Sequence, residues 1–242
     1  MTRASLIVGH KSDVKTSPDL RVPGLLAKWP IIGIVMFLVG GAIFGALAYN
    51  VSTKGPLLQW DVPITTELHQ EAVKEPPRII ELLTFGFFVG KELVQVIAVI
   101  LALYFLHKRF WRELAMLLVG LGGGALIWYF LIGIFNRPRP AAQIGIVVTD
   151  PSFPSGHVIT AVLAYGLLAY LFVPKMPSLF WKWVVVIASL LTILYIGFSR
   201  LFLGGHYLTD LLAGYALGIA WAGLVYTLND RISMGRQNRG IR

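Results

Sequence analysis

The sequence predicts an all-α fold: an integral membrane bundle of six transmembrane helices, with an interfacial helix between spans one and two. Three observations carry this. The chain is 56% hydrophobic and only 14% charged, with a mean hydropathy of +0.72. Its apolar residues fall into six runs, and a bilayer core asks for roughly 20 apolar residues per helix. Lysines and arginines gather in the short flanks of those runs, as membrane orientation signals do. The net charge of +9 would otherwise suggest nucleic acid, but that flanking distribution argues against it.

Residues 1–29 open with a single short apolar tract, Leu6 to Val8, and read as a basic cytoplasmic arm rather than a cleavable signal. The first span is expected over Ile31–Tyr49, the second over Phe85–Leu106 and the third over Leu114–Phe135. The remaining three cover His157–Val173, Trp183–Phe198 and Tyr207–Leu228, with polar ends that continue as helix. Between spans one and two, "PLLQWDVPITTELHQEAVKEPPRII" mixes apolar and acidic residues before Pro76-Pro77, the pattern of an interfacial helix stopped by proline. The domain plan is therefore an arm (1–29), a six-span unit (30–228) and a basic tail (229–242). Without cysteine, the chain offers neither disulfides nor thiolate metal sites.

With the amino terminus inside, the inner segments hold Arg3, Lys11, Lys15, Arg21, Lys28, Lys108, Arg109, Arg112, Lys175, Lys182, Arg231, Arg236, Arg239 and Arg242. The outer segments hold only Lys54, Lys74, Arg78, Lys91, Arg137, Arg139 and Arg200. The asymmetry places both termini in the cytoplasm, and the plasma membrane is the expected location. Arg137, Arg139 and Arg200 lie in two short outer loops that should be poor in arginine, so a local role is expected of them.

Those loops read "FNRPRPAAQIGIVVTDPSFPSGH" and "SRLFLGGH", and six spans bring them to one face. In "PSFPSGH", Ser155 stands at the start of a helix whose free N–H groups and dipole favour an anion. Gly156 would let the anion approach the backbone, and His157 projects from the first turn. Plain capping beside an incidental histidine explains the tetrapeptide equally well. In "HYLTD", His206 and Asp210 are four apart and share a helix face. A carboxylate there can fix the imidazole tautomer and leave a nucleophilic lone pair outward; a purely structural His–Asp pair is the plainer account of this motif alone. Arg139 and Arg200 offer planar forks for phosphate oxygens. Snorkelling to headgroups is the simpler role for a single arginine, and suits Arg137 better than Arg139.

Taken together, "RP" at Arg139-Pro140, "PSGH" at Pro154–His157 and "SRLFLGGHYLTD" at Ser199–Asp210 resemble the type 2 phosphatidic acid phosphatase superfamily, the lipid phosphate phosphatases. The resemblance implies metal-independent phosphoryl transfer without a cofactor. His206 would attack phosphorus and carry the phosphoryl group, Asp210 would orient it, and His157 would protonate the leaving oxygen and later activate water. Arg139, Arg200, Ser155 and the Gly156 N–H would bind the non-bridging oxygens. The expected partners are the bilayer and a lipid phosphate or diphosphate: an isoprenyl diphosphate, phosphatidylglycerol phosphate or phosphatidate, entering sideways at the extracytoplasmic face. One position departs from the family. Where a lysine usually stands seven residues before the arginine of "RP", this chain has Ile132. Arg137 and Lys91 are the candidate replacements, although an ion pair or hydrogen bond with Glu92 is the simpler expectation for Lys91. Three rivals stand beside this reading: a metal site built on the two histidines and the carboxylate, opposed by the neighbouring arginines; a lipid carrier that binds without hydrolysis; and a headgroup phosphotransferase. Trp60, Trp128 and Tyr129 read as interfacial belt residues.

Overall fold

A computed structural model describes residues 30–141 and 143–239. The arm over 1–29 and the last residues of the tail lie outside them. Helix α1 covers Pro30–Thr53, followed by a 3₁₀ turn at Pro56–Trp60 and helix α2 over Asp61–Lys74. Helix α3 (Pro77–Gly90) and helix α4 (Glu92–His107) follow. Then come α5 (Trp111–Leu117), a π-helical turn at Leu118–Gly122 and α6 (Gly123–Phe135). The chain closes with α7 (Gly156–Phe172), α8 (Leu179–Phe202) and α9 (Leu208–Arg239). Among the described residues, six stretches are long and apolar enough to cross a membrane: Ile31–Thr53, Pro77–His107, Trp111–Phe135, Gly156–Lys175, Leu179–Phe202 and Leu208–Ile232. The protein is thus an all-α, multi-pass integral membrane protein.

Local chemistry explains the boundaries. Pro76-Pro77 ends α2 because a proline disfavours helix in the residue before it, and Pro77 then serves as the first residue of α3. The second span consequently begins at Pro77, well before the Phe85 expected from hydropathy; Arg78 and Glu81 dilute its opening turns. It is broken at Lys91, whose backbone (φ −136°, ψ −65°) belongs to neither α3 nor α4. The π turn between α5 and α6 is matched by a partner. Trp221 on α9 donates its Nε1–H toward the Val119 and Gly120 carbonyls at 3.1 and 3.0 Å.

α7 and α9 form the buried centre, and the other spans turn mostly apolar side chains outward. α1 lies along α9 at backbone contact. A Cβ added at Gly40 would stand 2.6 Å from the Ala216 carbonyl, so side chains larger than hydrogen separate the helices. One end of α7, α8 and α9 is tied by loops. Ile144 N–H donates to Leu203 O (2.9 Å), Ser152 N–H to Arg137 O (2.8 Å) and Ser155 N–H to Asp210 O (3.1 Å). The two arginine-bearing loops, distant in sequence, are therefore laced together at one end of the bundle.

Candidate active site

His206 is the centre of this end. It follows α8 in the short turn before α9 and is 1% exposed. Its Nδ1 lies 2.9 Å from the Ser152 carbonyl oxygen. A carbonyl only accepts, so Nδ1 carries the proton and Nε2 keeps its lone pair. The Asp210 carboxylate also faces Nδ1, with Oδ2 at 3.5 Å, too far for a firm hydrogen bond. The expected orienting role is therefore shared: Ser152 fixes the tautomer and Asp210 supplies a nearby negative charge. Burial above all holds the imidazole down, to about 4, with Arg139 and Arg200 acting the same way and Asp210 opposing them.

Arg139 faces the free nitrogen, with Nη1 3.0 Å from His206 Nε2 and 2.7 Å from the Gly205 carbonyl it donates to. Asp150 fixes the rest of the fork: Nε donates to its carbonyl at 2.7 Å and Nη2 to its carboxylate at 3.0 Å. The left-handed turn at Asn136 (φ 41°) ends α6 and sends the chain into this arginine-proline segment.

Among the described residues, three polar atoms on these segments are buried without a protein partner: Ser155 Oγ, His157 Nε2 and Arg200 Nε. Arg200 is 2% exposed, and its guanidinium stacks over Phe87 with 4.9 Å to the ring centroid. Phe87 also packs against His157, at 4.5 Å between centroids. A buried guanidinium edge, a hydroxyl and an imidazole left unpaired are costly alone. An anion with several oxygens would satisfy all three. Arg139, Arg200 and His206 all lie within electrostatic reach of His157, so both loops contribute to one pocket.

Gly156 also has a packing reason that its sequence context does not show. A Cβ there would sit 2.7 Å from the Trp128 ring, so the glycine makes room for the indole. Trp128 Nε1 then donates to the Pro154 carbonyl at 3.1 Å, bracing the "PSGH" turn against α6. Trp128 is thereby a packing residue of the site, whereas Trp60 and Tyr129 are exposed, as belt residues would be.

Arg137 and Lys91 separate clearly. Arg137 donates Nη1 to Asp210 Oδ1 (2.6 Å) and Thr209 Oγ1 (2.8 Å), and Nη2 to Asp61 Oδ2 (2.7 Å). Its fork is held by carboxylates rather than turned to the unpaired atoms. Lys91 stands at the α3–α4 break with Nζ 5.9 Å from the Trp128 ring centroid, one helical turn from Ile132. Among the described residues no hydrogen bond or ion pair joins it to Glu92, whose Oε2 is itself buried without a partner. Sequence patterns gave no signal for Ser152, which acts through its backbone. Asp61 and Asp150 were equally silent, being single acids in unrelated segments. Among the described residues, no group of three His, Cys, Asp or Glu side chains is gathered as a metal site would require. A cavity of about 490 Å³ lined by Arg112, Tyr170, Lys175 and Lys182 lies at the opposite ends of α7 and α8, away from this chemistry.

Residues 113–233 match the family model of the PAP2 superfamily. The chain is 35% identical over 147 residues to phosphatidylglycerophosphatase B of Bacillus subtilis (strain 168), covering 60% of this chain and 71% of that protein. It is 30% identical over 150 residues to undecaprenyl-diphosphatase BcrC of the same organism, covering 59% and 72% respectively. In three dimensions it resembles a crystal structure of a transmembrane PAP2-type phosphatidylglycerolphosphate phosphatase from Bacillus subtilis. The TM-score is 0.69 at 29% identity, over 83% of this chain and 97% of that one.

Proposed function

The chain belongs to the PAP2 superfamily, and from that premise we propose that it is a membrane lipid phosphate phosphatase acting through a phosphohistidine at the extracytoplasmic face. The observation that carries the proposal is the cluster of unpartnered polar atoms beside a tautomer-fixed imidazole. Ser155 Oγ, His157 Nε2 and Arg200 Nε are buried and unpartnered, on the segments that hold His206, and an oxygen-rich anion would supply the acceptors and donors they lack.

The chemistry follows from the contacts. A phosphate entering the pocket draws Arg139 Nη1 off the Nε2 lone pair and onto a non-bridging oxygen, so binding exposes the nucleophile. Nε2 then forms a bond to phosphorus while the bond to the lipid oxygen breaks. His157, protonated at that stage, gives the leaving oxygen its proton. The imidazolium that results on His206 keeps its Nδ1–H on the Ser152 carbonyl and faces the Asp210 carboxylate. Water then gives a proton to His157, attacks phosphorus and breaks the N–P bond, releasing phosphate and regenerating both histidines. Preorganised positive charge is the main aid to such a transfer, and two buried guanidiniums supply it here without a metal ion.

Two relatives named for lipid phosphate or diphosphate substrates support the substrate class. The lysine and arginine asymmetry supports the orientation, with both termini in the cytoplasm and the plasma membrane as the proposed setting. Lys91 takes the role of the cation missing at Ile132, from the break between α3 and α4, with its ammonium beside the Trp128 ring. The test is phosphate release from purified phosphatidylglycerophosphate, undecaprenyl diphosphate and phosphatidate. Wild type releases phosphate from at least one of them in the presence of excess chelator, and His206→Ala does not. No release from any would refute the proposal.

A further inference from the structure

We propose that Asp61 is a positioning residue for the reaction: from the interfacial helix α2 it offsets the charge of Arg137, so that the Asp210 carboxylate remains negative toward His206. The inference rests on the phosphohistidine reading above and adds to it a residue outside the segment 113–233 that matches the family.

Asp61 begins α2 and is 1% exposed, although α2 is otherwise largely a surface helix. Both its oxygens are used. Oδ1 accepts the backbone N–H of Thr209 at 2.9 Å. Oδ2 accepts the Thr209 hydroxyl at 2.6 Å and Arg137 Nη2 at 2.7 Å. Thr209 lies in the first turn of α9, so Asp61 caps that turn from a distant segment.

The charges make the arrangement more than a cap. Arg137 also donates to Asp210 Oδ1 at 2.6 Å. Asp210 Oδ2 accepts the Tyr207 N–H at 2.9 Å and faces His206 Nδ1 at 3.5 Å. An arginine paired with Asp210 alone would cancel the charge on which the developing imidazolium depends. With Asp61 on its other nitrogen, Arg137 is shared between two carboxylates, and the group of three stays net negative. All three side chains are at most 11% exposed, so water screens this balance little.

The experiment compares wild type, Asp61→Asn and the double variant Asp61→Asn/Arg137→Gln, each purified in detergent. Single-turnover formation of phosphoenzyme from a labelled lipid phosphate is measured and normalised to the burst amplitude, so that misfolded protein does not count. Asp61→Asn keeps an acceptor for Thr209 but loses the charge. Its rate per active site should fall about tenfold or more, which is about 1.4 kcal/mol or more in barrier, with KM within about twofold. The double variant should be faster than Asp61→Asn, because the uncompensated Arg137 is gone. An unchanged rate per site in Asp61→Asn, or a double variant no faster than the single one, overturns the proposal. If Asp61→Asn does not fold, the double variant decides: a tenth or more of the wild-type rate supports it, and near-complete loss overturns it. Failure of wild type to form any phosphoenzyme would instead overturn the underlying phosphohistidine reading.

Discussion

Burial of an imidazole among arginines is the feature that sets the residue-scale behaviour of this protein. His206 is held to about 4, mainly by burial, so the neutral imidazole proposed as nucleophile persists well below the ordinary histidine range. Loss of kcat/KM through protonation of His206 should therefore occur near pH 4 rather than near 6.5, which a pH–rate profile would show. Stability follows with a definite sign. Between pH 4 and 6.5 the unfolded chain binds a proton at this histidine that the folded chain refuses, so stability rises with pH across that window. His206→Gln should flatten part of that rise in a thermal-unfolding series. Lys91→Ala tests the substitute cation: loss of a charged contact to phosphate typically costs about 1.5–3 kcal/mol, so kcat/KM should drop about ten- to a hundredfold. Activity equal to wild type would remove Lys91 from the site. At this scale the sequence singled out polar residues that share a fixed local spacing, as in His206 to Asp210 and Ser155 to His157, and the fold brings both pairs to the same end of the bundle. The sequence was silent where the partner is a backbone carbonyl, as at Ser152. It was silent again where the partner is remote, as with Asp61, which is 148 residues from Thr209. Arg137 is a different case: sequence left it between headgroup snorkelling and a replacement phosphate contact, and the fold pairs it with Asp61 and Asp210.

Helices supply the framework that makes such contacts possible. The "PSGH" turn is rigid because Trp128 on α6 fills the space beside Gly156 and holds the Pro154 carbonyl. Gly156→Ala forces a methyl group to 2.7 Å from that ring and should displace the turn. We expect a cost of about 1–3 kcal/mol in stability, as for overpacking generally, together with a large fall in kcat. A smaller residue at Trp128 should restore part of the activity of that variant, and no restoration would argue against this origin of the glycine. The interfacial helix, its proline stop and the approximate spans were legible because hydropathy and proline act locally. The break at Lys91 and the close seam of α1 on α9 were not, since both depend on which helix comes to lie against which. Hydropathy also started the second span too late, because charged residues near Pro77 lower the average over a stretch that folds as helix nonetheless.

For the molecule as a whole, the consequence of six spans is that loops far apart in sequence open on one face and meet there. The arginine-proline loop, the "PSGH" turn and the "SRLFLGGH" turn are joined by backbone hydrogen bonds at that face. The absence of native cysteine gives a clean route to its orientation. Val147→Cys, at an exposed position between α6 and α7, should react with a membrane-impermeant maleimide in intact cells. Arg109→Cys, between α4 and α5, should react only after permeabilisation; the reverse pattern would place the pocket in the cytoplasm. The most direct test of the whole account is the covalent intermediate itself. Lipid phosphate labelled at its terminal phosphorus is mixed with enzyme, quenched in alkali within one turnover and digested. Label is expected on the peptide that contains His206, and none in His206→Ala. Label carried by another residue, or undiminished phosphate release from His206→Ala, would contradict it.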